Sequence, residues 1–133
     1  MNGIGTFHHV GVACRSLDRE VAAYAALGYA REGAEFDDPG NGIRGVFLAG
    51  PGPRIELVVD CPGQHVVEPW LRRGSAMYHV AFEVDELGPA MDALRRATAK
   101  LVVRPRPAVA FAGRHISFLM LRNRMLVELI ARS

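Results

Sequence analysis

Apolar runs broken by single polar residues recur along this chain, and they recur in pairs. His8-His9-Val10-Gly11-Val12-Ala13-Cys14 is echoed by Tyr78-His79-Val80-Ala81-Phe82-Glu83-Val84. Arg54-Ile55-Glu56-Leu57-Val58 is echoed by Leu126-Val127-Glu128-Leu129-Ile130. His9 and His79 are 70 residues apart, and Glu56 and Glu128 are 72 apart. Matching offsets of this kind mark one structural unit used twice, with a histidine opening each copy and a glutamate closing it.

The elements of the first copy follow from local pattern. Phe7 to Cys14 reads as a buried strand, and Ser16 as the N-cap of a helix with Leu17, Val21, Tyr24 and Leu27 at helical spacing. Gly28 suits the left-handed residue that ends a helix. Tyr29–Glu35 is expected to be the second strand, followed by the turn Asp38-Pro39-Gly40-Asn41-Gly42. Ile43–Ala49 and Arg54–Asp60 complete the copy, separated by Pro51-Gly52-Pro53. Cys61 to Gly74 joins the copies through a short amphipathic helix bearing Val66, Val67, Trp70 and Leu71.

In the second copy, strand Met77–Val84 leads to Asp85 as helix cap, with Pro89 in the first turn and Leu87, Met91 and Leu94 as the buried stripe. Leu101–Val103 is a short strand. Arg104-Pro105-Arg106-Pro107 is placed at an edge or in a loop, because proline cannot donate inside a sheet. Arg114–Leu121 and Met125–Ala131 are the last strands. The fold class is therefore α+β, with two βαβββ modules, 6–60 and 76–131, joined by 61–75. Together they form a curved eight-stranded mixed sheet, a cup, with helices outside. Residues 1–133 are read as a single domain, since each module alone leaves an edge and a face uncovered.

Composition narrows the function classes. The chain has 133 residues, is half hydrophobic and 23% charged, and carries a net charge of +2. That is ordinary for a soluble globular protein and too little basic charge for nucleic acid. No apolar run is long enough for a membrane span, and Met1 to Phe7 has neither a basic leader nor an apolar signal core. Cys14 and Cys61 form no C-x-x-C motif and are read as reduced thiols of a cytoplasmic protein.

Strand alternation supplies the candidate chemistry. His9 shares a face with Gly11 and Ala13, and His79 with Ala81 and Glu83, while the larger Val10, Val12, Val80 and Phe82 take the other face. Glu56 and Glu128 are each flanked by apolar residues of the opposite face. An ionised glutamate in a buried strand is costly unless paired or metal-bound. Imidazole and carboxylate together suit zinc, nickel, cobalt, manganese or ferrous iron. Taken singly, each histidine is more readily a packed or hydrogen-bonded core residue and each glutamate a solvent-facing strand residue; the repeat symmetry of the four is what brings metal binding level with that reading.

With these residues in view, the chain resembles the vicinal oxygen chelate superfamily of glyoxalases, bleomycin-resistance proteins and dioxygenases. The resemblance rests on HHVGVACRSLDREVAAYAALGY, RIELVV, WLRRGSAMYHVAFEVDEL and MLVELI, and WLRRG followed by YHVAFEVDEL is most similar to methylmalonyl-CoA epimerases. It implies a divalent metal ion held by His9, Glu56, His79 and Glu128, and a small-molecule substrate. Because family members of this size commonly pair, it also implies a homodimer. The expected reaction is isomerase- or glyoxalase-like proton transfer beside a metal-bound carbonyl of an oxo acid or acyl-CoA, with Glu128 as catalytic base. The epimerases usually carry glutamine where Glu56 stands, and a catalytic glutamate in the third strand, whose matching place here is Arg44 or Gly45. Arg44 and Arg114 are candidate anchors for an anionic substrate group, and Phe47, Phe111 and Phe118 candidate pocket walls. The alternative is a metal-free protein that sequesters a small molecule, as bleomycin-resistance relatives do.

Overall fold

A computed structural model describes residues 3–133, so Met1 and Asn2, the start of the stretch read for a leader, lie outside the described residues. Among the described residues there are nine strands, one more than the eight expected, and three helices, in an α+β arrangement. The chain forms two compact units, one from His9–Tyr78 and one from the chain up to His8 together with His79–Ser133. Among the described residues no helix is long and apolar enough to cross a membrane.

The first of these units contains most of β1 (Thr6–Ala13), α1 (Leu17–Ala25), β2 (Ala30–Arg31), β3 (Phe36–Asp38), β4 (Ile43–Ala49), β5 (Ile55–Asp60) and α2 (Glu68–Arg72). Its strands run in the order β2-β4-β5-β1, with β3 also on β4. β1 and β5 are parallel, and β4 and β5 antiparallel. The single strand expected over Tyr29–Glu35 is two short pieces instead. β2 pairs Arg31 with Leu48, and β3 pairs Phe36 with Gly45. Between them the chain spends extra residues, and Gly33 turns out of the extended conformation at φ +86°. Glu32 N–H still donates to Phe47 C=O at 2.8 Å, so β2 and β3 are one interrupted strand along β4.

The turn into β4 is built as its residues require: buried Asp38 accepts from Asn41 N at 3.3 Å and Nδ2 at 2.8 Å. Ser16 caps α1, its Oγ accepting from Arg19 N at 3.3 Å. α1 ends at Ala25, which leaves Leu27 beyond the helix and 64% exposed, outside the stripe expected of it. Asp60, at the end of β5, holds the joint helix. Its Oδ1 accepts from Val66 N and Val67 N, both at 2.8 Å, and its Oδ2 from Glu68 N at 3.1 Å. A carboxylate there answers both the orphan amides and the positive end of the helix.

The second unit contains β6 (Met77–Val84, from His79 on), α3 (Leu87–Arg96), β7 (Lys100–Pro107), a 3-10 turn (Val109–Phe111), β8 (His115–Met120) and β9 (Leu126–Ala131). Its order is β6-β9-β8-β7, with β6 and β9 parallel and the other neighbours antiparallel. Glu86, not Asp85, precedes the helix as cap, and it makes no side-chain cap bond. Ala90 and Met91 of α3 meet Val84, Ala99, Leu119, Val127 and Leu129 in the core of this unit. β7 is longer than its apolar centre suggested, running through Arg104-Pro105-Arg106-Pro107 as the edge strand. Two prolines on an edge remove donors that would invite further pairing.

Both cysteines are free thiols, Cys14 buried and Cys61 half-buried. Burial, reinforced by Glu20, pushes the Cys14 thiol up to about 11. Native protein at pH 8 should therefore expose at most one thiol, Cys61, to a disulfide reagent. A Cys61→Ser variant should show none until denaturant is added, and rapid labelling of Cys14 in the native variant would contradict its placement.

Candidate functional site

Each unit places one histidine beside one glutamate, and the two pairs are built the same way. In the first, Gly11 is the register partner of Glu56, which puts His9, two residues earlier on β1, on the face of Glu56. Gly11 adds no side chain there, and His9 Nε2 lies 3.1 Å from Glu56 Oε1. On the other side of β5, Phe47 is the partner of Glu56. Its ring meets the His9 imidazole edge to face, with centroids 5.3 Å apart at 73°.

In the second, Ala81 is the partner of Glu128, and His79 stands two residues before it. His79 Nε2 lies 3.3 Å from Glu128 Oε1. Phe118 is the antiparallel partner of Glu128 and meets His79 edge to face at 5.4 Å and 88°. Histidine, small residue, glutamate and phenylalanine thus recur at matching positions of both repeats. All four polar side chains are at least 95% buried.

Water is withheld from these carboxylates, so each must be answered by a proton donor or a cation. The facing imidazole nitrogen can do the first as Nε2–H. Imidazole and carboxylate atoms can also share a divalent ion, and their chemistry fits one.

The remaining candidates divide. Phe47 and Phe118 stand half-buried against the imidazoles, where pocket walls were expected. Arg44 does not. It is exposed and alternates with Gly45 and Phe47, on the face of β4 opposite Glu56. The strand's regular alternation, with no bulge, puts it there. Arg114 is held by its surroundings: Nη1 donates to Glu83 Oε2 and Ala131 C=O, both at 3.1 Å, and Nε to Phe111 C=O at 3.2 Å. Phe111 is buried against His8 at 5.5 Å.

Gly45 of β4, the register partner of Val58, shares the face of Glu56 and Phe47. A Cβ there would come within 2.5 Å of Phe36 Cζ and 2.7 Å of Leu57 O. The Phe36 ring, 5.8 Å from that of Phe47, covers Gly45. Sequence reasoning missed Phe36, because nothing in the local pattern pairs it with Gly45.

The sequence matches the Glyoxalase/Bleomycin resistance protein/Dioxygenase superfamily over residues 8–118, most of the chain. The chain belongs to this superfamily. Among members of the superfamily, it is 29% identical over 130 residues to an ethylmalonyl-CoA/methylmalonyl-CoA epimerase of Cereibacter sphaeroides, covering 95% of this chain and 97% of that one. It is 27% identical over 135 residues to a mitochondrial methylmalonyl-CoA epimerase of Dictyostelium discoideum, covering 96% and 78%. Its fold is similar to the crystal structure of methylmalonyl-CoA epimerase from Mycobacterium tuberculosis, with a TM-score of 0.81, 26% identity, and coverage of 100% and 92%.

The Arg114–Glu83 bond has a pH signature. That hydrogen bond holds the Glu83 carboxyl below its ordinary value of 4.5, against the opposing effect of burial and with help from the charge of His8. A carboxylate depressed in this way adds stability above its unfolded value and loses it as pH falls through the folded value. Thermal melts of wild type and Glu83→Gln between pH 3 and 7 should differ by a constant amount above about pH 5, and the gap should close toward acid. A gap unchanged at pH 3 would contradict the assignment.

Proposed function

We propose that this chain is a metal-dependent acyl-CoA epimerase that moves the proton on the carbon next to a thioester carbonyl. The observation that carries the reading is the pair of equivalent histidine–glutamate settings, each water-excluded and walled by a phenylalanine. Similarity to acyl-CoA epimerases over nearly the whole length supports the substrate class.

His9, Glu56, His79 and Glu128 are the residues that would hold the ion. Once bound, a divalent cation supplies Lewis-acid stabilisation for the negative charge that develops on the carbonyl oxygen as the proton leaves. Glu128 is the base. Its carboxylate is 95% buried, so no ordered water need be stripped from it before it accepts the α-proton. The His79 Nε2 contact orients it, and Phe118 keeps solvent from the developing carbanion. β4 contributes no proton carrier, because Gly45 lies beneath Phe36. The proton for the opposite face must therefore come from solvent, and its delivery is slower than return to the face Glu128 took it from. The cytoplasm and a homodimer complete this reading.

The second reading is metal-free sequestration of a small molecule, which the 3.1 and 3.3 Å imidazole–carboxylate contacts also accommodate as charge pairs with no ion between them. Elemental analysis separates the two. The epimerase reading expects about one divalent ion per chain, lost in His9→Ala and His79→Ala, and a melting temperature that falls by several degrees on chelation. Protein that stays metal-free after reconstitution would end it.

Turnover gives a further check. In D2O the wild type should exchange the α-proton of methylmalonyl-CoA or ethylmalonyl-CoA faster than it interconverts the diastereomers, as followed by NMR. Glu128→Gln should lower exchange by about 10²–10⁴-fold while keeping the fold. Exchange undiminished in that variant would remove Glu128 from the role.

A further inference from the structure

The edge strand β7 carries two irregularities that decide where its charges point. Leu101 pairs with Leu119 and Val103 with Phe118, so Val102 is extra; Arg106 then pairs with Ile116, which makes a second extra residue between Val103 and Arg106. Each bulge shifts the alternation by one position. Lys100, Val103 and Arg106 consequently partner Met120, Phe118 and Ile116. Those three alternate residues of β8 lie on the face of Glu128, since Phe118 is its register partner and Ile116 pairs with Ile130. Buried Ser117 fixes the second bulge by donating its Oγ–H to Val103 C=O at 2.7 Å.

The face that carries Glu128 therefore ends, at its open edge, in an apolar step of Val103 beside Phe118 flanked by two exposed cations, Arg106 and Lys100. We propose that Arg106, assisted by Lys100, binds the phosphate groups at the nucleotide end of an acyl-CoA substrate. This deepens the acyl-CoA reading and rests on it. Two strand spacings of about 4.8 Å separate β9 from β7, so the charged edge stands on the order of 10 Å from Glu128. That is too far for a carboxylate bonded to the reacting carbon. It suits an anion at the end of a long arm laid across Val103 and Phe118. Guanidinium is also the side chain that recognises phosphate by paired hydrogen bonds.

The test is calorimetric titration of coenzyme A, dephospho-coenzyme A and pantetheine into wild type, Arg106→Gln, Lys100→Gln and, as a charge-matched control on α3, Arg95→Gln. Arg106→Gln should weaken coenzyme A about tenfold or more, Lys100→Gln by less, and Arg95→Gln not at all, with pantetheine binding unchanged throughout. Arg106→Lys, which keeps the charge, should lose less than Arg106→Gln, and the melting temperature of each variant checks that the loss is not one of fold. Loss of dephospho-coenzyme A binding as well assigns the diphosphate, and loss of coenzyme A binding alone assigns the 3′-phosphate. Wild type that fails to bind coenzyme A, an equal loss for pantetheine, or an equal loss in Arg95→Gln would overturn the proposal. If binding depends on Arg106 but no acyl-CoA is epimerised, the phosphate site stands and the epimerase reading fails.

Discussion

A carboxylate shut away from water beside an imidazole is the constraint on which both halves of this protein turn. Neither glutamate could stand in the middle of an apolar strand without a partner, since burial of an isolated charge costs far more than any one contact returns. The partner must be a residue whose place on a neighbouring strand is fixed. Parallel pairing of β1 with β5, and of β6 with β9, does that by setting Gly11 against Glu56 and Ala81 against Glu128. The small partner clears the space into which the histidine two residues earlier reaches. Register, side-chain size and charge are one arrangement, repeated.

The rest of each unit secures those strands. α3 seats Ala90 and Met91 on Leu119, Val127 and Leu129, apolar positions that alternate with the face bearing Glu128. Asp60 ties the end of β5 to the start of α2, so the strand that carries Glu56 is held at its far end by three backbone amides. Arg114 joins β8 to β6 and β9 through Glu83 and the Ala131 carbonyl. An arginine that the sequence offers as a substrate anchor is thereby occupied in bracing the unit.

Much of this was legible in the residues. The matched offsets of His9 and His79, and of Glu56 and Glu128, announced the repeat, and alternation correctly put small neighbours on the histidine face. The order of elements followed from Ser16, the Asp38–Gly42 turn and the proline-rich edge. What stayed hidden depended on contacts far apart in sequence. The pattern of Tyr29–Glu35 says nothing of a strand that leaves β4 at Gly33 and returns at Phe36. Arg44 sits one residue away from the face of Glu56, and only the register of β4 with β5, which sets Phe47 against Glu56, decides that Gly45 and not Arg44 shares that face. Bulges are equally silent, so the side taken by Arg106 could not be read from its spacing to Val103.

Gly45 also bears on how this lineage can change. Its missing side chain is claimed twice over, by a phenyl ring from β3 and by the carbonyl of Leu57, which belongs to the backbone and cannot rotate aside. An acid introduced at that position by one substitution would meet both obstacles before it could serve any chemistry. A side chain at position 45 would require Phe36 to give way and the paired strands to part, so no single substitution there is accommodated. The closeness of β4 to β5 thus limits what residue 45 can become.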